Sequence, residues 1–146
     1  RDPTVVLDLV DEVAALLEAE EPKLRNNATG LLWELSRLHA DRVEPHLDTV
    51  AGLLEADDDL TRVNASAVLA RAAEDLPERA SEYVDRVRPL LTDDHHQTRT
   101  NACWTLGHLA DEESLDALRR VAVEDDHEQV RERAQWAVSR IEGPSA

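Results

Sequence analysis

The strongest constraint in this sequence is a repeat of 37 residues. A segment that begins at Val13 recurs at Val50 and at Val87, and a fourth copy, shortened around residues 111–114, ends at Ile141. In each copy an apolar pair precedes an acidic turn, and a second apolar segment with the period of an α-helix follows. A fixed period of this length is typical of solenoid proteins, in which each repeat is one supersecondary unit.

Each copy is predicted to be a helical hairpin whose second helix has an apolar face. One hairpin cannot cover this face, but neighbours stacked in register bury it in a continuous core. We therefore expect an all-α fold, a right-handed α-α superhelix (solenoid) of four helical hairpins and eight helices in one domain. The predicted repeats are residues 4–40, 41–76, 77–110 and 111–142, and the predicted second helices are residues 22–39, 58–75, 94–110 and 126–141.

Acidic residues and prolines mark the predicted helix ends. We expect the turn acids to cap the second helices, because side-chain oxygens accept hydrogen bonds from the free N–H groups at a helix start. Pro45 and Pro77 are predicted to mark the entries to the second and third hairpins. Pro89 is predicted to kink the first helix of the third hairpin by removing a backbone donor. The turn acids are Asp57, Asp58, Asp59, Asp93, Asp94, Asp125 and Asp126.

The order of these features resembles HEAT repeats. The resemblance covers residues 13–141 and consists of an apolar pair, an acidic turn, a small apolar or Thr residue followed by Arg, and Ala three residues later. It implies a ladder of acid–arginine pairs along the stack, and it implies a scaffold with varied partners rather than one fixed function. The repeat arginines and the acids five positions before them are Arg25 with Glu20, Arg62 with Asp57, Arg99 with Asp94, and Arg131 with Asp126.

Charge and composition indicate a salt-adapted cytoplasmic protein. The 32 acidic residues outnumber the 16 basic ones, and Lys23 is the only lysine. Such a composition resembles the proteins of halophiles that accumulate salt in the cytosol, where screening removes the repulsion among like charges. A lone Cys103 allows no intrachain disulfide, and no apolar run is long enough for a membrane span. Because the chain starts at Arg1 without Met, we expect a processed or excised piece of a larger protein.

One repeat position carries asparagine in three copies. Asn27, Asn64 and Asn101 are predicted to form an inter-repeat hydrogen-bond ladder rather than glycosylation sites, because they fall within helices and acceptor asparagines normally lie on loops. The fourth copy has Arg133 at this position. A charged residue there suits an end repeat that no further repeat covers.

Two further patterns carry possible chemistry. His95 and His127 occupy equivalent turns beside acids and His96, but the compact spacing of a metal site is missing, so solvated turn histidines are expected. Cys103 and His108 lie five residues apart and do not share a helix face, which argues against a nucleophile and its base. Without a phosphate-binding loop or nucleophile elbow, we predict that the protein is not an enzyme and uses no metal or cofactor.

The sequence favours a non-catalytic protein–protein interaction scaffold that holds a partner of unknown identity on the concave face of its second helices. The alternative is a HEAT-like accessory or catalytic domain acting on a ligand or nucleic acid, bilin lyase-like or DNA glycosylase-like. Nucleic acid is disfavoured because the arginines are scattered within strong negative charge, and no membrane partner is expected. The candidate partner-binding residues are Asn26, Trp33, Arg37, Val63, Thr100, Trp104, Glu132 and Trp136.

The three tryptophans have two interpretations. They either form an exposed binding strip, since aromatic residues anchor many interfaces, or they pack as wedges between repeats. We favour wedges, because one large and one small side chain at each junction packs densely and avoids exposing apolar surface. The predicted wedge pairs are Trp33 with Ala67, Ala70 with Trp104, and Gly107 with Trp136.

The net charge of −16 predicts a fold that weakens as salt is removed. Crowded carboxylates repel one another once the ionic atmosphere no longer screens them. Thermal melts in molar and in millimolar KCl should give the lower melting temperature at low salt. An equal or higher melting temperature at low salt would contradict the salt-adapted interpretation.

Overall fold

The protein forms four consecutive helical hairpins, numbered here as repeats 1 to 4. The structure is a computed structural model that describes the backbone of residues 3–143 and the side chains of residues 9–143, so Arg1 lies outside the described residues. Within this range the chain forms eight helices and no β-strand, which confirms the predicted all-α solenoid. No helix of the described part is long and apolar enough to cross a membrane.

The second helix of each repeat is a continuous α-helix close to its predicted position. In repeats 3 and 4 it begins two residues later than predicted, because the turn acids lie outside the helix. The observed bounds are Pro22–Leu38, Asp59–Asp75, His96–His108 and Glu128–Glu142.

The caps of these helices differ between repeats. Asp58 caps the second helix of repeat 2 by accepting a 3.0 Å hydrogen bond from the Thr61 N–H, as predicted. In repeats 3 and 4 the expected acid caps are wrong, since His95 and His127 are the N-cap residues. The acids Asp93, Asp94, Asp125 and Asp126 therefore precede the caps.

The first helices are less regular than the second ones. Repeat 1 has a single α-helix, whereas the first helices of repeats 2 and 3 alternate between short α-helical and 3-10 segments. The bounds are Pro3–Ala14 in repeat 1; Ala40–Val43, Glu44–His46, Leu47–Gly52 and Leu53–Glu55 in repeat 2; Pro77–Ala80, Ser81–Tyr83, Val84–Val87 and Arg88–Thr92 in repeat 3; and Glu112–Ser114 and Leu115–Glu124 in repeat 4.

Prolines account for part of this irregularity. Pro89 lies in a 3-10 segment, Arg88–Thr92, and the kink predicted there stays a prediction. Pro77 begins the first helix of repeat 3, as expected. The expectation for Pro45 is wrong, because the first helix of repeat 2 already begins at Ala40 and Pro45 falls in a later 3-10 turn.

The core runs between the second helices along the predicted apolar face. Leu24 and Leu31 of repeat 1 are exceptions, with 39% and 46% of their surface exposed. Their equivalents Thr61 and Val68 are 0% and 1% exposed, because repeat 2 packs on the second helix of repeat 1 and no described helix precedes repeat 1. The buried face residues are Ala28, Leu32, Thr61, Ala65, Val68, Leu69, Ala72, Thr98, Ala102, Thr105, Leu106, Val130, Ala134 and Ala137.

A shortened connection joins repeats 3 and 4. Ala110 adopts a left-handed conformation with φ 51°, which ends the preceding helix. Asp111 then accepts hydrogen bonds of 2.9 and 2.8 Å from Nε and Nη2 of Arg88, and one from the Ser114 hydroxyl at 2.5 Å. This two-point pair fastens the connection to the first helix of repeat 3.

Two of the repeat arginines reach across a junction to an acid of the next repeat. Arg62 donates from Nε to Asp93 at 2.8 Å, and Arg99 donates from Nε and Nη2 to Asp125 at 2.7 and 3.1 Å. The carboxylates of Asp93 and Asp125 are 9% and 7% exposed, so these ion pairs are largely buried. The ladder of acid–arginine pairs exists, and we call each such pair a rung.

The acids expected for this ladder are the wrong ones. No described ion pair joins a repeat arginine to Glu20, Asp57, Asp94 or Asp126. In the turns of repeats 3 and 4 the acid of the rung is Asp93 instead of Asp94, and Asp125 instead of Asp126. Each of these two carboxylates also accepts a 2.9 Å hydrogen bond from the backbone N–H two residues later. Spacing within one repeat could not show this, because the arginine pairs with the following repeat.

The Asp125 carboxylate remains charged at neutral pH. Burial by itself would raise the pKa of Asp125, but the hydrogen bonds from Arg99 and from the His127 N–H lower it below 3.8. A lowered pKa means that the stabilisation is present above the unfolded-state value and is lost as the pH falls through the folded-state value.

Replacing Asp125 with Ala should lower the free energy of unfolding by about 2–3 kcal/mol, because it leaves the Arg99 guanidinium without its buried partner. Asp126→Ala is the matched control, since Asp126 is exposed and its loss should change stability by less than about 0.5 kcal/mol. Urea unfolding at neutral pH measures both. Equal losses would contradict the rung assignment.

Candidate functional site

A groove on the face formed by the second helices of repeats 1 to 4 is the candidate binding site. Its volume is about 450 Å³, and apolar, amide and charged side chains all contribute to its walls. The lining residues are Trp33, Arg37, Val63, Asn64, Ala67, Ala70, Arg71, Glu74, Gln97, Thr100, Asn101, Trp104 and Arg133.

Five of the predicted partner-binding residues line this groove. They are Trp33, Arg37, Val63, Thr100 and Trp104. The other three lie outside the lining: Asn26 accepts a hydrogen bond from Asn64, Trp136 packs beneath Trp104, and Glu132 is an exposed residue.

Sequence reasoning missed several residues of the groove wall. Glu74 follows Arg37 by one repeat of 37 residues, so the periodicity that gave Arg37 also indicates Glu74. Arg71 carries no comparable signal, because its equivalents Glu34 and His108 differ from it in chemistry. Gln97 recurs in repeat 4 as Gln129, a repeated signal that was missed. Arg133 was read as an uncovered end residue, whereas it lies against the indole rings at one end of the groove.

Two of the three asparagines form the predicted inter-repeat hydrogen bonds. Asn64 donates to the side-chain oxygen of Asn26 at 2.7 Å, and Asn101 donates to the Val63 carbonyl at 3.2 Å and the Ser66 hydroxyl at 3.1 Å. Each bond ties a second helix to the one before it and fixes the groove floor. Asn27 is exposed and makes no such bond, because no described repeat precedes it.

An aromatic cluster closes one end of the groove. The indole rings of Trp104 and Trp136 stack with centroids 4.7 Å apart, and His108 contacts both rings. The Arg133 guanidinium lies 4.2 Å from the Trp104 ring centroid, and the Trp104 Nε1–H donates to Glu74 at 3.2 Å. The cluster holds the Trp104 ring in place, and stacking of a cation on its face adds to this.

One of the three predicted wedges is confirmed. A Cβ added to Gly107 would lie 2.5 Å from Cζ3 of Trp136, so the indole ring occupies the space that the glycine leaves open. Trp33 and Trp104 line the groove together with Ala67 and Ala70, and their pairing with these alanines stays a prediction. The stack of Trp104 on Trp136 was not foreseen, because both occupy the same repeat position.

Two of the three arginines that line the groove have an acidic partner, and the third, Arg133, lies on the Trp104 ring without an ion pair in the described residues. Arg37 pairs with Glu34 at 3.2 Å and lies over the Trp33 ring, and Arg71 pairs with Asp75 at 2.9 Å. With Glu74 also in the wall, the groove is not a continuous basic surface. Binding to a phosphate backbone depends on such a surface.

The turn histidines stack on one another, and the expectation that they are solvated is wrong for His95 and His96, which are half-buried. The His96 ring lies between those of His95 and His127, with centroid distances of 5.0 and 4.3 Å. Stacked rings present their faces to one another, whereas a shared metal ion needs converging ring nitrogens. The described residues contain no group of three or more His, Cys, Asp or Glu side chains placed to hold a metal ion.

Cys103 is unsuited to nucleophilic chemistry. Its side chain is fully buried, and burial raises the pKa of the thiol to about 12. A nucleophile of this type needs the accessible thiolate. His108 packs against the indole rings, and burial lowers its pKa below 6.5.

A family model described as HEAT repeats matches residues 49–139, which is more than half of the chain. The chain belongs to the HEAT repeat family. No curated protein sequence matches it.

Engineered repeat proteins share this fold. Crystal structures of two engineered proteins match with TM-scores of 0.78 and 0.80 at 18% and 17% identity, covering 91% and 93% of this chain. A designed armadillo repeat protein in complex with the peptide (KR)4 matches with a TM-score of 0.76 at 16% identity over 92% of this chain. The chain spans 62%, 38% and 64% of these three proteins, and the likeness at such identity concerns the fold alone.

Replacing Gly107 with Ala should destabilise the protein by about 1–3 kcal/mol, because the added methyl group overlaps the Trp136 ring and the Ala137 Cβ. Gly52→Ala is the matched control. Gly52 has a helical conformation and nothing within 4 Å of an added Cβ, so helix propensity should make this change neutral or stabilising by about 0.5–1 kcal/mol. Urea unfolding measures both, and equal effects would contradict the wedge.

Proposed function

We propose that this protein is a non-catalytic interaction module that binds a segment of a partner protein in the groove of its second helices. The observation that carries the proposal is the preformed groove with Trp33 and Trp104 in its walls. Tryptophan and arginine are the residues that most often anchor protein interfaces. The partner's identity is not part of the proposal.

The groove's construction supports this function. Its walls stand on second helices that share a buried core, and hydrogen bonds from Asn64 and Asn101 fix their relative positions. Side chains held in this way lose little freedom on binding, which favours affinity. A designed armadillo repeat protein of the same fold was solved with a bound peptide, and that fact supports a peptide-like ligand here only as an analogy of fold.

The charge pattern of the groove bears on which segment it would take. Arg37 and Arg71 already have acidic partners, and Glu74 accepts from Trp104. Arg133 forms no ion pair within the described residues, but it lies on the Trp104 ring at one end of the groove. One such cation gives little basis for a uniformly charged ligand. The apolar wall of Val63 and Ala67 between the two indole rings suits an apolar side chain of the partner. We therefore favour a segment with apolar anchors over a uniformly charged one.

A catalytic or nucleic-acid-binding role has less support. The buried thiol of Cys103 offers no nucleophile. Arg37 and Arg71 are paired with acids, and Arg133 alone is not the basic track that nucleic acid requires. We further propose a cytoplasm of high salt as the location, because a single unpaired cysteine and a net charge of −16 suit that environment.

A displayed library of random dodecapeptides, selected on the immobilised protein in molar KCl, tests this function. Peptides selected on the native protein should lose about tenfold or more in affinity with Trp33→Ala and with Trp104→Ala, because an interface anchor is removed. Arg37→Ala serves as a variant that leaves the packed core intact. Fluorescence anisotropy of labelled peptides measures the affinities, and circular dichroism verifies the fold of each variant.

Val123→Ala is the matched control for these variants. Val123 is 78% exposed, lies on the first helix of repeat 4 and is not part of the groove wall. Peptides that bind the two tryptophan variants and Arg37→Ala as tightly as the native protein would overturn the proposal, as would equal losses with Val123→Ala.

A further inference from the structure

The repeat arginines are held in a common way on the turn edge of the solenoid. In each repeat, Nη1 donates to the carbonyl six residues earlier, at distances of 3.0, 2.8, 2.8 and 2.6 Å from the first repeat to the fourth. This bond turns Nε and Nη2 of Arg62 and Arg99 toward the next repeat, where an aspartate accepts from them. Arg62 and Arg99 thus each bind one carboxylate, which an aspartate of the following repeat supplies.

The junction between repeats 1 and 2 lacks this aspartate. The position of Asp93 in repeat 3 corresponds to Ala56 in repeat 2, whose methyl group cannot accept a hydrogen bond. Arg25 is nevertheless held by its Nη1 bond to the Ala19 carbonyl, as in the other repeats. It forms no ion pair with any side chain of residues 9–143, and its Nε is buried without an acceptor.

A surface groove leads to this guanidinium. It has a volume of about 440 Å³ and is separate from the groove of the second helices. Arg25 Nη2 has no described acceptor and is not among the buried unpaired atoms. The lining residues are Leu17, Glu18, Arg25, Gly52, Leu53, Glu55, Ala56 and Asp57.

We propose that Arg25 is a second binding site, which takes one carboxylate from an Asp or Glu side chain of a partner protein. The partner's carboxylate takes the place at Nη2 that Asp93 and Asp125 occupy at the next two junctions. A charge-assisted bond to a half-buried guanidinium is among the stronger polar contacts. This site lies outside the proposed peptide groove, so a test of Arg25 does not depend on whether the proposed function is correct.

The rim of the site limits the ligand to a small single charge. Glu18, Glu55 and Asp57 are exposed around the groove and repel a doubly charged anion more than a singly charged one. A neighbouring acid does not prevent pairing, since Arg62 binds both Asp59 and Asp93. We therefore expect a carboxylate to be preferred over sulfate.

Thermal melts in acetate test the site, with acetate as a probe for the carboxylate. Half-molar potassium acetate, compared with KCl at the same ionic strength, should raise the melting temperature of the native protein by about 2–4 °C more than that of Ala56→Asp. The added aspartate supplies the missing rung and competes with acetate for Arg25. Arg25→Gln should likewise lose the acetate-specific rise, which separates binding at Arg25 from the general stabilising effect of acetate.

Spectroscopy of the arginine side chains provides a second readout. In the native protein, acetate should shift the Arg25 Nε–Hε resonance in a saturable way and leave that of Arg99 unchanged, whereas sulfate at equal ionic strength should shift it less. Equal acetate effects on the native protein and Ala56→Asp, or no shift at Arg25, would overturn the proposal. So would failure of Ala56→Asp to fold, because the same pair exists at the next two junctions.

Discussion

The close packing of each second helix on its neighbour supports every other feature of this molecule. It rests on small side chains: Ala28, Ala65, Ala102 and Ala134 occupy one repeat position and are 4%, 0%, 0% and 0% exposed. Alanine lets helix backbones approach, and the larger residues beside it fill the remaining space. The asparagine bonds, the rungs and the groove all need this approach, because hydrogen bonds act only over about 3 Å. A bulky residue in place of any of these alanines would separate two repeats, and it would disturb the asparagine bonds, the rungs and the groove together.

Periodicity predicted the architecture well, because repeat spacing reports directly on which residues are equivalent. It gave the second helices, the buried face and the donors Asn64 and Asn101. It did not give partners across a junction, which depend on helix crossing and side-chain length. For that reason the predicted rung acids lie in the repeat of the arginine itself, whereas the observed ones lie in the following repeat and one position earlier in it. The Trp104–Trp136 stack was missed for the same reason. Arg71 and Arg133 of the candidate site have no repeated signal at all.

The two kinds of charge in this protein have opposite relations to salt. Exposed acids repel one another, and screening reduces that cost. The rung carboxylates are nearly buried, and bonds from one guanidinium hold them in place, so screening affects them little. Junctions 2–3 and 3–4 therefore keep their polar contacts over a wide range of salt concentration. Junction 1–2 has no rung, because Ala56 stands where the next two junctions have an aspartate. In a repeat array such differences make stability uneven along the stack.

The buried thiol of repeat 3 can be used to measure the local stability of the stack around it. Cys103 lies in the core of the part of the stack that carries both rungs, and it is the only cysteine in the chain. A thiol reagent can reach it only when the packing around it opens. At reagent concentrations high enough for labelling to outpace reclosing, the labelling rate equals the rate at which this part of the stack opens. Because the chain already has a single cysteine, the opening rate can be measured on the unmodified protein. The lifetime of the closed state of the best-fastened part of the solenoid is therefore accessible by simple chemical kinetics.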